Sequence, residues 1–80
     1  MNENLTPRQN DLLNFIIKFK QTNGYSPTTK EMRKGINTKS KSHIEIMLDT
    51  LEYKNYIKIK HRRGMTSVIK ICRFPELDDD

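Results

Sequence analysis

The residues from Thr28 to Lys54 constrain this chain more than any others, because they hold two helix starts with a turn between them. Thr28 and Glu31 have the spacing of a capping box, in which the threonine hydroxyl and the glutamate carboxylate each satisfy a free backbone N–H. Pro27 keeps Ser26 out of helical geometry and sharpens that boundary. Met32 and Ile36, four apart, share the inward face of a short helix. Gly35 and Asn37 tolerate positive φ and predict the turn. A second, longer helix follows. Ser40 or Ser42 can cap it, and Ser42 with Glu45 repeats the capping-box spacing. Ile44, Leu48 and Leu51, with Met47 beside them, form its one apolar stripe. A short helix, a tight turn and a longer helix with a polar start make the pattern of a helix-turn-helix, whose second helix can enter a DNA major groove.

The flanks extend this motif. Residues 1 to 5 read as a loose end. Thr6-Pro7-Arg8-Gln9 is a capped start with proline in the first turn. Leu12, Ile16 and Phe19 then form an apolar row, with Leu13, Ile17 and Phe15 nearby, wide enough to pack against two neighbours. Asn23-Gly24 ends this helix, and Tyr25-Ser26-Pro27 is an extended linker. Beyond Lys54, Asn55 predicts a left-handed stop. Tyr56 to Lys60 alternates apolar and basic residues as a half-buried strand does. Residues 61–66 form a hairpin tip, and Ser67 to Ile71 return with Ile69 and Ile71 on one face and Lys70 on the other. Phe74-Pro75 closes the folded part. The expectation is a mainly α fold with a β-hairpin (α+β): a winged helix-turn-helix of three helices and a two-stranded wing over residues 1–75, then an acidic tail over 76–80.

Charge narrows the partners. The net charge is +5, yet Glu76, Asp78, Asp79 and Asp80 supply four of the ten acidic residues. Residues 1–75 therefore carry fifteen basic against six acidic groups, a net +9. So basic a small domain is disposed toward a polyanion. Lys39 and Lys41 flank the start of the third helix, where free N–H groups and the helix dipole favour a phosphate. Arg62 and Arg63 adjoin at the expected wing tip, in reach of a phosphate or the minor groove. Lys54, Lys58 and Lys60 face phosphate or water. Glu45 can accept from a cytosine amino group or serve as a cap. Tyr53 and Tyr56 read as packing residues with exposed hydroxyls.

Other classes are excluded or disfavoured. No apolar run reaches the roughly 18 residues of a membrane span. The polar N-terminus with Glu3 is unlike a signal peptide. Cys72 is the only cysteine, so no intramolecular disulfide can form, and a reducing, cytoplasmic location is expected. Two histidines and one cysteine without local clustering predict no metal site or cofactor. No catalytic constellation can be assigned, so the chain is expected not to be an enzyme.

Leu5-Thr-Pro-Arg-Gln, then Ile16, Gly24-Tyr-Ser-Pro-Thr, Glu31-Met, Ser40, Leu48-x-x-Leu51 and Tyr56-Ile57 with the hairpin beyond them resemble the amino-terminal DNA-binding domain of the LexA family of SOS-response repressors. The resemblance covers roughly residues 4 to 71. It implies that Ser40, Ser42, His43, Glu45 and Ile46 fall on base-reading positions, the serines being caps as well. The sequence departs from that family in three places. Ser40-Lys41-Ser42 stands for a frequent Ser-Pro-Asn. Glu45-Ile46 stands for two successive acidic residues. Asn37, with Gly35 two residues earlier, stands for the glycine that ends the second helix. The family's self-cleaving, dimerising protease domain has no counterpart here, so the chain reads as a free-standing small regulator or an excised domain, bacterial or phage-encoded. The expected function is sequence-specific binding of double-stranded DNA as a transcriptional regulator, a repressor by resemblance. Two copies would sit on a palindromic or paired half-site. The alternative is a protein-binding winged helix that modulates a host regulator or polymerase.

Overall fold

The computed structural model of the chain describes residues 5–60 and 68–73. The expectations for the hairpin tip, with Arg62 and Arg63, and for the closing segment and acidic tail lie outside the described residues. Three helices, α1 (Pro7–Asn23), α2 (Thr29–Gly35) and α3 (Lys41–Tyr53), precede an antiparallel hairpin of β1 (Ile57–Lys60) and β2 (Val68–Ile71).

Local chemistry sets each boundary. The Thr6–Gln9 and Thr28–Glu31 capping boxes both form, as their spacing predicts. α1 ends on Gly24 at φ 82°, its N–H donating to the Lys20 carbonyl at 2.8 Å. α2 and α3 end alike, each on an asparagine in left-handed geometry: Asn37 at φ 60° and Asn55 at φ 68°. After α2, Asn37 N–H donates to Lys34 O and Thr38 N–H to Arg33 O. After α3, Asn55 N–H donates to Glu52 O and Tyr56 N–H to Leu51 O. Both are Schellman closures, in which the left-handed residue lets the chain turn back onto the last free carbonyls.

The hydrophobic core lies where the three helices meet the inner face of the hairpin. Leu12, Leu13 and Ile16 of α1 meet Met32 and Ile36, then Ile44, Met47 and Leu51 of α3, with Tyr56, Ile57 and Ile69 beneath. All of these are 5% exposed or less. α1 packs against both α2 and α3, as its wide apolar surface predicts. The hairpin pairs Ile57 with Ile71 and Ile59 with Ile69 on the inner face, and Lys58 with Lys70 outside.

Four local expectations are corrected. Gly35 is not left-handed: it is the last residue of α2, and what matters is its missing side chain. A Cβ there would lie 2.6 Å from Phe15 Cζ, so glycine lets the Phe15 ring sit on α2. The Ser42–Glu45 capping box does not form, because Ser40 takes the N-cap and its Oγ accepts from His43 N–H at 3.0 Å. Tyr53 is no packing residue, being 84% exposed, whereas Tyr56 is 5% exposed under the Arg73 guanidinium. Leu5 is not loose: it is half-buried against the core.

The linker between α1 and α2 also holds the hairpin. Ser26 Oγ accepts from Ile69 N–H at 2.9 Å and donates to Ile69 O at 3.4 Å. Lys20 Nζ donates to the same carbonyl. Pro27 beside this junction is fully buried.

Candidate nucleic-acid interface

Burial along α3 divides the helix into two faces. Ile44, Met47 and Leu51 are buried and Leu48 is half-buried against them. Ser42, Glu45, Ile46, Asp49 and Tyr53 are exposed. Positions three, four and seven apart line one side of a helix, so these five make a continuous outward strip. Its N-terminal half carries Ser42, Glu45 and Ile46, and Ile46 is 62% exposed. His43 is half-buried at the edge of this strip.

The entry to α3 is rigid and basic. Lys39, Ser40 and Lys41 are all exposed. Because Ser40 caps the helix at His43, the N–H groups of Lys41 and Ser42 precede the first helical bond and remain available to an anion. The turn from α2 is fixed by its Schellman closure and by two further bonds. Ser40 N–H donates to Thr38 Oγ1 at 3.3 Å, and Arg33 Nη1 donates to Lys39 O at 3.2 Å. The Arg33 Nε is buried without a partner among the described residues. Arg33 therefore acts as a brace across the turn, a role the sequence did not announce beyond placing a basic residue in the last turn of α2.

The structure thus gathers Lys39, Ser40, Lys41, Ser42, His43, Glu45 and Ile46 at one end of α3. Lys54 lies at the other end, about 20 Å away along a thirteen-residue helix. It is half-buried, and its Nζ donates to Gln9 Oε1 at 3.3 Å in the α1 capping box. Arg62 and Arg63 lie outside the described residues.

The hairpin adds a basic surface. Lys58, Lys60 and Lys70 are exposed on its outer face, with Val68 opposite Lys60. Lys70 was not singled out in the sequence as a contact. The signal for it is strand register, which sets it directly across from Lys58. Among the described residues no cluster of three or more potential metal ligands occurs, and no helix is long and apolar enough to cross a membrane.

Comparison with known proteins places this geometry. The family described as the LexA DNA binding domain matches residues 2–66. A LexA repressor of Pelagibacter ubique is 38% identical over 76 residues, covering 94% of this chain and 34% of that protein. One of Petrotoga mobilis is 37% identical over 69 residues, with 85% and 34% covered. One of Gluconacetobacter diazotrophicus is 33% identical over 72 residues, with 90% and 28% covered. The chain spans about a third of the length of these curated relatives, or less. With its three helices, hairpin and exposed α3 strip, this chain belongs to the LexA DNA binding domain family.

Proposed function

We propose that this domain binds double-stranded DNA sequence-specifically and acts as a transcriptional repressor by occluding a promoter. The single observation that carries the reading is the division of α3. Its core face is closed, and its N-terminal outward half combines a lysine-flanked, anion-ready start with Ser42, Glu45 and Ile46. A helix entering the major groove contacts base edges with its N-terminal residues, while positive groups beside it take phosphates. Ser40, Ser42, His43, Glu45 and Ile46 supply the base-facing set. Lys39, Lys41 and the hairpin lysines supply backbone contacts, joined by Arg62 and Arg63. Lys54 belongs to a separate, peripheral contact, given its distance from the α3 start.

One module of this size buries roughly 600–1,000 Å² on DNA, which is small for tight selection. Two copies on a palindromic or paired half-site follow, held by contacts between wings or by cooperative binding. Such a regulator works in the cytoplasm. The relatives named above are repressors, and the family match extends through the whole helix-turn-helix.

Selection of bound duplexes from a random pool, followed by gel shifts across a salt series, tests the reading. A recurrent sequence, resistant to competitor DNA and bound more weakly as salt rises, is the expected result. Absence of binding at low salt, with a partner protein captured instead, would favour a protein-binding modulator and overturn the proposal.

A further inference from the structure

Ile46 has no structural reason to be an isoleucine. It is 62% exposed, lies on the side of α3 opposite Ile44, Met47 and Leu51, and follows Ser42 by one turn. A β-branched residue is also a middling helix former, so helix stability does not favour it there. Two properties nevertheless suit it to contact. Its χ1 is nearly fixed in a helix, so little rotamer freedom is lost when a partner closes on it. Its surface is wholly apolar, while its helical neighbours on the same strip, Ser42, Glu45 and Asp49, are polar.

Resting on the major-groove reading above, we propose that Ile46 is a specificity-determining residue that selects the 5-methyl group of a thymine. The major-groove edges of the four bases offer hydrogen-bond donors and acceptors plus one apolar group, and that group is the thymine methyl. The favourable contact open to an isoleucine is with that methyl, while polar base edges are left unpaired against it. Glu45, adjacent on the same strip, is an acceptor-only carboxylate and pairs with the cytosine amino group. The two side chains therefore read unlike base edges from neighbouring positions. Each half-site then contains a thymine within a step or two of a cytosine-bearing pair.

The test replaces each thymine of the selected duplex, one at a time, by deoxyuridine, which removes only the methyl. Binding of the 80-residue chain and of Ile46→Ala is measured on every duplex. Removing one buried methyl corresponds to about a three- to fivefold loss of affinity. That loss is expected at one thymine per half-site for the parent chain, and its disappearance is expected for Ile46→Ala. Exposure of the site and the helix propensity of alanine keep this variant folded, which circular dichroism checks. The inference is overturned if the parent ignores every uracil, if the selected site lacks thymine, or if Ile46→Ala keeps the full discrimination. Failure of the random pool to yield any sequence would instead overturn the DNA reading on which it rests.

Discussion

Lys58 and Lys70 stand directly opposite each other across the hairpin, both exposed on its outer face. Like charges in that arrangement work against strand pairing. An anion laid across the hairpin relieves the repulsion.

Replacing Lys70 by alanine is therefore expected to move binding and folding in opposite directions. Affinity should fall for all duplexes alike, and the slope of log affinity against log salt should shrink by about 0.9. Stability in the absence of DNA should hold or rise slightly, by less than ~1 kcal/mol. Gel shifts at four salt concentrations and a urea titration check both parts. A variant that is weaker on one sequence only would refute the backbone role.

Ser40 and Ser42 are separable. Ser40 caps α3, so Ser40→Ala should lower stability by about 1 kcal/mol. Ser42 is exposed and caps nothing, so Ser42→Ala should leave the unfolding midpoint in place and relax base preference. Thermal unfolding beside a repeated pool selection distinguishes them.

Gly35 and Phe15 should behave as one unit. In an open helix Gly→Ala is stabilising, by up to ~1 kcal/mol. Here the added methyl meets the Phe15 ring, and a net loss of about 1–3 kcal/mol is expected. Shortening the ring residue, Phe15→Leu, should recover part of that loss, so the double variant is more stable than the sum of the single effects. Additive losses in denaturant titrations would show that the two do not touch.

The asparagine closures respond to backbone geometry. Asn37 and Asn55 both occupy left-handed φ. Alanine at either should cost about 1–2 kcal/mol, while glycine should hold stability to within roughly 0.5 kcal/mol. For Asn37 the loss should be accompanied by weaker DNA binding, since this residue sets the angle at which α3 leaves α2. Calorimetry with parallel gel shifts measures both.

How much of this was legible in the sequence follows from the range of each interaction. The Thr6 and Thr28 caps join residues three apart, and the apolar stripes repeat every three or four, so the helices and most of the core could be read along the chain. Asn55 as a stop was legible for the same reason. Gly35 was misread because its partner, Phe15, lies twenty positions earlier and on another helix. Tyr53 was misread because an aromatic residue on a helix reads as core until its neighbours are placed. The Lys58–Lys70 opposition depends on register, and the Ser26–Ile69 bonds on tertiary folding; neither leaves a local trace. Spacing and charge located the start of α3, but which of Ser40 and Ser42 caps it depends on the folded path of the turn.

The junction at Ile69 has a mechanical consequence. Ser26 and Lys20 seize the returning strand near its middle, from the opposite half of the chain. The hairpin is thus a lever whose fulcrum belongs to α1 and its linker. Any tilt of the hairpin must pull on the C-terminal end of α1, so the set of the two strands and the seating of the first helix are geared together.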